Sequence, residues 1–193
     1  LMAEVIKVIG KNAFVQVFES TRGMRVGDEA EFEGHMLEVT LGPGMLSRNY
    51  DGLQNDLDKM EGVFLRRGEY TFPLDNDKLW DFKPLAKVGD KVAAGGWLGE
   101  VDENYQPHKI MVPFTFKGEY TVKSLKEAGQ YTIGEVIAVL TDEAGKDVEV
   151  TMIQRWPVKR AITCYKEKPR PYKLLETGVR TIDTVNPIVE GGT

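Results

Sequence analysis

Val88-Gly89-Asp90-Lys91-Val92-Ala93-Ala94-Gly95-Gly96-Trp97-Leu98-Gly99-Glu100-Val101 and Ala128-Gly129-Gln130-Tyr131-Thr132-Ile133-Gly134-Glu135-Val136-Ile137-Ala138-Val139-Leu140 follow one order: a glycine turn, a short strand, a second glycine, then another strand. Such a duplication suits a small quasi-symmetric β-barrel or sandwich, because glycine tolerates positive φ at tight corners. The surrounding residues 64–152 read in the same way, as short strands with frequent turns. Upstream, Val5 to Ile9 and Ala13 to Phe18 are β-branched and aromatic around Gly10-Lys11-Asn12, which predicts a hairpin. Val26 to Phe32 predicts a further turn and strand. After Gly42-Pro43-Gly44 the period changes: Leu46, Tyr50, Leu53, Leu57 and Met60 recur at three and four, predicting one face of a short helix that Gly52 weakens.

The duplicated scaffold resembles the hammerhead fold of biotinyl and lipoyl carrier domains. Carrier chemistry needs one lysine at a hairpin tip between the halves, flanked by methionine or acids. The candidates there are Lys109 and Lys117, neither in that setting, so the scaffold is expected without the carrier function. Downstream, Arg155 to Lys173 holds Arg155, Lys159, Arg160, Lys166, Lys168, Arg170 and Lys173 against the single acid Glu167, and Pro157, Pro169 and Pro171 prevent a long helix. This segment reads as an extended strap. Thr177 is then expected to cap a helix through Val179, Ile182 and Val185 that Pro187 ends.

The composition narrows the class. The chain has 193 residues, 41% of them hydrophobic, which is enough for a packed core. With 25 Lys plus Arg against 30 Asp plus Glu the formal charge is −5, which argues against a surface devoted to nucleic acid or anionic lipid. The longest apolar run, Val136 to Leu140, falls far short of the ~18 residues of a bilayer-spanning helix. The single cysteine, Cys164, and an opening Leu1-Met2-Ala3-Glu4 without a long apolar stretch give secretion no support, so an intracellular setting is expected.

Site chemistry is sparse. The Gly-Lys pairs, Gly10-Lys11 and Gly145-Lys146, do not fit a phosphate loop of the Gly-x-x-x-x-Gly-Lys-Ser/Thr type. His35 and His108 are far apart without local ligand spacing, so no metal site is expected. Cys164, beside Ile162 and Tyr165, reads as a small buried hydrophobe in a strand rather than a nucleophile. Asp75, Asp77 and Asp81 read as solvated turn residues. Trp156, Tyr165 and Tyr172 interleave with the strap's cations, as in single-strand nucleic-acid binders, yet at net −5 a strap whose cations pair with an acidic body is the stronger reading. Salt-dependent retention of single-stranded DNA would favour the first, and a mass gain after incubation with the matching ligase would favour a carrier.

Two sets of residues carry a family resemblance. Leu41-Gly42-Pro43-Gly44-Met45-Leu46 and Tyr50-Asp51-Gly52-Leu53-Gln54 resemble the junction after the N-terminal barrel in the catalytic alpha chain of V-type and archaeal-type rotary ATPases. Trp156-Pro157-Val158, Pro169-Arg170-Pro171 and Thr177 to Thr184, followed by Pro187 and Gly191-Gly192-Thr193, resemble the approach to that chain's phosphate loop. F-type catalytic chains resemble the same approach but lack so long an insert. Asn55-Asp56-Leu57 stands where the family commonly has Arg-Pro-Leu, and Val185-Asn186-Pro187 where it tends to have an aromatic before the proline, which brings a divergent, bacterial branch into view.

The resemblance implies a mainly β chain. It would hold a partial N-terminal β-barrel over 1–41, a junction with a short helix over 42–63, an inserted barrel-sandwich-hybrid-like bulge domain over 64–152, and, over 153–193, a strap with the first helix of a nucleotide-binding domain. Gly42, Pro43 and Gly44 are expected to turn the chain between barrel and body. The intact protein is implied to hydrolyse or synthesise ATP with Mg²⁺ in a ring where it alternates with B subunits, joined to central and peripheral stalks and coupled to proton or sodium transport, cytoplasmic and peripheral to the membrane. Within this chain no catalytic, cofactor-binding or metal residue is implied, because the phosphate loop, with its lysine, Mg²⁺ hydroxyl and water-activating glutamate, is expected after Thr193. The continuing reading frame is therefore expected to encode Gly-x-x-x-x-Gly-Lys-Thr within about a dozen residues, and its absence there would remove the resemblance's main implication.

Overall fold

A computed structural model describes residues 1–62, 64, 66–165, 167–168 and 170–191. Lys166 and Pro169 of the basic stretch, and the terminal Gly192-Thr193, lie outside them. The chain divides into two compact units, Leu1–Ile162 and Thr163–Thr193.

In the first unit, strands β1 (Ala3–Ile9) and β2 (Asn12–Val17) form the expected antiparallel hairpin, with Ile9 opposite Asn12 and Gly10 at φ +59° in the turn. Its apolar side chains are left in solvent: Ile6 is 60% exposed, Val8 65% and Phe14 50%. The strand expected at Val26 to Phe32 does not form. Left-handed glycines at 23 and 27 put turns there instead, with Met24 N–H donating to Thr21 O and Asp28 N–H to Arg25 O. Among the described residues no strand lies alongside to accept a ladder.

Strand β3 (Glu38–Leu41) marks where the excursion begins. The expected helix beyond it reduces to one 3-10 turn, Leu57–Lys59, capped by the Asp56 carboxylate on Asp58 N–H. Ser47 and Gln54 hold left-handed backbone, at φ 62° and 64°, and the Asp51 carboxylate accepts from Leu53 and Asn55 N–H. Those local bonds occupy donors that a helical ladder would need, so the apolar period at three and four never becomes a helix face.

The insert contains β4 (Leu79–Pro84), β5 (Lys91–Ala93), β6 (Trp97–Glu103), β7 (Gln106–Met111), β8 (Glu119–Leu125), β9 (Gly129–Thr132), β10 (Ala138–Thr141) and β11 (Asp147–Val150). They form two four-stranded sheets, ordered β7-β6-β4-β9 and β11-β10-β8-β5. Adding four to each strand number of the first sheet, and carrying β9 back to β5, gives the second. The two sequence copies are thus two halves that each lend a strand to the other's sheet. Alternating strand residues face inward: Trp80 and Phe82 from β4, Val122 from β8, Leu140 from β10, with Leu125 packing against both apolar clusters so that they form one continuous core. Strand β12 (Gln154–Pro157) then pairs antiparallel with β3, Leu41 opposite Gln154, and closes the excursion.

The glycines of the two copies differ. Gly89 and Gly95 are left-handed as expected, at φ +93° and +79°, while Gly129 and Gly134 are not. Gly99 serves a third purpose, close approach: a Cβ there would lie 2.2 Å from Phe82 Cε2 and 2.8 Å from Lys83 O.

The second unit carries one short helix, α1 (Arg180–Val185), which stops one residue before Asn186-Pro187. Its cap differs from expectation. Val179 is the N-cap, and Thr177 instead gives its hydroxyl (2.6 Å) and N–H (3.1 Å) to Asp183, which also accepts from Gly178 N–H. The Thr177 hydroxyl bond is the largest influence holding the Asp183 carboxyl below its usual range. Leu174 bridges Val189, and Lys173 pairs with Glu190 at 2.9 Å.

Gly99→Ala is expected to destabilise the chain by about 2–3 kcal/mol through overpacking, seen as a melting temperature about 5–10 °C lower. Gly134→Ala, where a Cβ meets nothing within 4 Å, is expected to stay within about 0.5 kcal/mol of the parent. Equal effects from the two would refute the close-approach assignment.

Candidate functional site

Among the described residues, the polar side chains that the fold buries lie where the insert joins its stem. Asn55 is 4% exposed, Asp56 1% and Glu103 2%. The pleat of β6 explains Glu103: it shares a face with Val101, two residues earlier, and therefore points inward. There its Oε1 accepts from Gly44 N–H at 2.7 Å and Leu46 N–H at 2.9 Å, and its Oε2 meets His108 Nδ1 at 2.7 Å. One carboxylate thus ties the turn after β3 to the β6–β7 hairpin. Gly42 is packed so closely that a Cβ would lie 2.7 Å from Ile153 Cγ2, and Gly44 is left-handed at φ +105°. The expected turn at Gly42-Pro43-Gly44 is present.

A second knot lies a few residues on. The Gln54 amide accepts from Thr40 N–H and donates to Thr40 O, both at 2.7 Å, so a side chain pairs with β3 as a neighbouring strand would. Asn55 donates to the Asp51 carboxylate and accepts from Thr71 N–H, while Asp56 N–H donates to Thr71 Oγ1. The Asp56 carboxylate faces Arg48 at 3.3 Å and Lys59 at 3.7 Å, and Lys59 Nζ also donates to Phe72 O and Leu74 O. Burial raises the Tyr50 hydroxyl's pKa, and Asp56 raises it further; that hydroxyl donates to Pro73 O. Burial alone would raise the Asp51 carboxyl, but hydrogen bonds from Asn55 and Leu53 outweigh it and hold the group below its usual range.

A third clasp reaches the N-terminal hairpin. Tyr70 hydroxyl donates to Glu19 and accepts from Met2 N–H at 2.7 Å, and Gly68 N–H donates to Glu19. Burial, followed by the Glu19 bond, raises the Tyr70 pKa.

The sequence-derived candidates fall elsewhere. His35 is exposed beside Glu33, whereas His108 belongs to the Glu103 clasp. Lys109 lies within β7, paired with Glu100 and 5.0 Å from the Trp97 ring centre, rather than at a hairpin tip. Lys117 is exposed in the irregular chain before β8. Trp156 is buried edge-on against Phe114, its indole N–H donating to Arg160 O, which removes it from any base-stacking surface. Tyr165 and Tyr172 stay exposed, and Lys159 of the basic stretch pairs with Glu4 at 2.7 Å. Cys164 is half-buried but lies in irregular chain, not in a strand, because no strand accompanies residues 161–165. Asp75 and Asp77 form a turn, while Asp81 sits in β4 bonded to Gln130. Among the described residues no group of three or more His, Cys, Asp or Glu could hold a metal ion, and no helix is long and apolar enough to cross a membrane.

Sequence reasoning missed Glu103, Asn55 and Asp56. For Glu103 the signal was the strand alternation that makes Val101 a core residue.

Glu103→Leu is expected to leave the Gly44 and Leu46 N–H groups without their acceptor and to cost about 1–3 kcal/mol. Glu103→Gln, which keeps an acceptor for Gly44 and Leu46, is expected to cost about 1 kcal/mol. Amide hydrogen exchange at Gly44 and Leu46 checks this: protection should fall in the Leu variant and largely persist in the Gln variant.

Two family models match the chain. Residues 1–34 match the ATP synthase alpha/beta family beta-barrel domain, and residues 71–159 match the ATP synthase alpha/beta subunit barrel-sandwich domain. Among curated relatives, the V-type ATP synthase alpha chains of Treponema denticola and Borrelia garinii subsp. bavariensis are each 47% identical, and that of Protochlamydia amoebophila is 44% identical, over 196 aligned positions. Each alignment covers 100% of this chain but only 33%, 34% and 33% of the respective relative. The chain therefore spans about a third of the length of the curated relatives it matches. A mainly β chain that carries both domains in order and aligns from end to end at this identity belongs to the ATP synthase alpha/beta family, among the V-type alpha chains.

Proposed function

We propose that this chain is the non-catalytic forward portion of an alpha chain whose whole protein couples ATP hydrolysis or synthesis to proton or sodium transport. The single observation that carries the reading is the end-to-end alignment with V-type alpha chains. In that reading residues 1–41 contribute to the barrel that holds the ring, 42–63 form the junction, 64–152 project as a rigid bulge toward a stalk or a neighbouring ring member, and 153–193 lead toward the nucleotide-binding domain. The partners are B subunits alternating with it around a six-membered ring, together with central and peripheral stalk proteins, on the cytoplasmic side of the membrane.

Two features support a mechanical role. The β1–β2 hairpin presents apolar side chains on an exposed two-stranded ribbon, a composition suited to burial against another barrel. The bulge is fastened to its stem by buried hydrogen-bonded carboxylates, which fix its orientation. Among the described residues, neither Gly-Lys pair fits MgATP: Gly10-Lys11 turns the β1–β2 hairpin, Gly145-Lys146 turns the β10–β11 hairpin, and neither opens a helix whose N-terminus could hold phosphate. ATP and Mg²⁺ would be held by the remainder of the whole protein.

Excising the bulge from the alpha chain of the whole complex is expected to leave ATP hydrolysis in place while lowering ion transport per ATP; unchanged coupling would defeat its assigned role. The purified chain is expected to show no MgATP turnover. Stoichiometric turnover, free of contaminating enzyme, would overturn the non-catalytic assignment.

A further inference from the structure

Among the described residues, Ser47, Gln54, Asn104 and Tyr105 hold left-handed backbone without being glycine. The first three have an internal reason. Gln54 clamps Thr40, and the Asn104 amide donates to Ser47 Oγ at 3.1 Å, joining the hairpin tip to the junction loop. Asparagine also tolerates this region locally. The Tyr105 side chain has no such reason: the residue's φ is 63° and it is 96% exposed.

Glu103 pairs with Gln106, so Asn104-Tyr105 is the whole loop of the β6–β7 hairpin. With both φ angles positive, this is the shape whose second position ordinarily takes glycine. The corresponding β10–β11 connection is longer, residues 142–146, and there the left-handed position is held by Gly145, φ +81°. A tyrosine in the glycine position strains the backbone and here buries nothing within the chain. Strain of this kind clusters at functional sites, and tyrosine is enriched among the residues that carry binding energy at interfaces.

The tip is also rigid. Asp102 Oδ1 accepts from Tyr105 N–H at 3.1 Å, Glu103 at the base is held by its three bonds, and Asn104 is tethered to Ser47. A rigid tip loses little further freedom on docking. Its charge is one-sided: Asp102 is exposed and forms no ion pair among the described residues, while Glu100 is matched by Lys109 and Glu103 is buried.

We propose that Tyr105 is the anchor by which the bulge docks onto a different protein of the assembly, entering an apolar slot with a basic rim that faces Asp102. This rests on the reading of the bulge as a contact element.

The test uses the whole purified complex carrying Tyr105→Gly, Tyr105→Phe or a photoreactive benzoylphenylalanine at position 105, beside a complex with the bulge excised. Tyr105→Gly is expected to leave the chain's melting temperature unchanged or higher, since it relieves the left-handed strain, yet to speed the loss of components from the complex by about tenfold or more. Tyr105→Phe should keep the complex intact, and the photoreactive side chain should link this chain to a different protein of the complex, within a segment rich in lysine or arginine. A link within the same alpha chain or to a second copy of it, or no link, would overturn the proposal. So would a Tyr105→Gly complex as durable as the parent. If excision loosens the complex while Tyr105→Gly does not, the anchor is refuted and the contact role of the bulge stands; if neither loosens it, both fail.

Discussion

Leu41 lies opposite Gln154 across the β3–β12 ladder, and the rest of the fold depends on that closure. A chain that leaves a body and returns more than a hundred residues later must bring its ends together, and the entropic cost of closure rises only slowly with length. A two-stranded ladder is a marginal support by itself. Here it gains a third member from the Gln54 amide, whose paired bonds to Thr40 imitate a strand, and a second layer from Trp156, which packs edge-on against Phe114. The excursion is thereby a mounted body rather than a flexible loop.

Within that body, internal duplication solves the edge problem of a small β unit. Each half lends a strand to the other's sheet, so neither half can bury its apolar residues alone, and the core spans both. Once intertwined, the halves are free to diverge in detail. Gly99 admits the Phe82 ring against the backbone, whereas Gly134 faces open space. One hairpin turns on Gly145, while its counterpart turns on Asn104-Tyr105. The scaffold is held by what the copies share, and its individuality lies at the corners where they differ.

The legible parts of the sequence were those set by short-range pattern. The β1–β2 hairpin follows from β-branched runs around Gly10-Lys11, and the duplication follows from glycine spacing, which together were enough for the fold class. Val26 to Phe32 misled because strand propensity is no use without a neighbouring strand to pair with. The apolar period from Leu46 to Met60 misled because Asp51 and Asp56 compete for the local backbone with their side chains. The buried knot itself was half visible as the departure Asn55-Asp56 from the family's Arg-Pro. A proline at the second of these positions would have no N–H, whereas Asp56 uses its own to hold Thr71. Glu103 was hidden for another reason: nothing local shows that the two N–H groups it serves lie more than fifty residues upstream.

The joints of this molecule are polar where its body is apolar, and the difference has a mechanical meaning. Apolar packing is non-directional and tolerates sliding among nearly equivalent arrangements. A buried carboxylate with three donors tolerates far less, because any displacement leaves a charge or an N–H without a partner in a medium where that is expensive. Glu103 and Asp56 each bridge separate segments of the chain, and each sits where one subassembly meets the next. Such joints add little net stability compared with well-packed apolar ones, but they permit one orientation. For a bulge whose proposed task is to meet a neighbouring protein at a fixed place, orientation is the property that matters, and the residues spent at these joints are the ones that supply it.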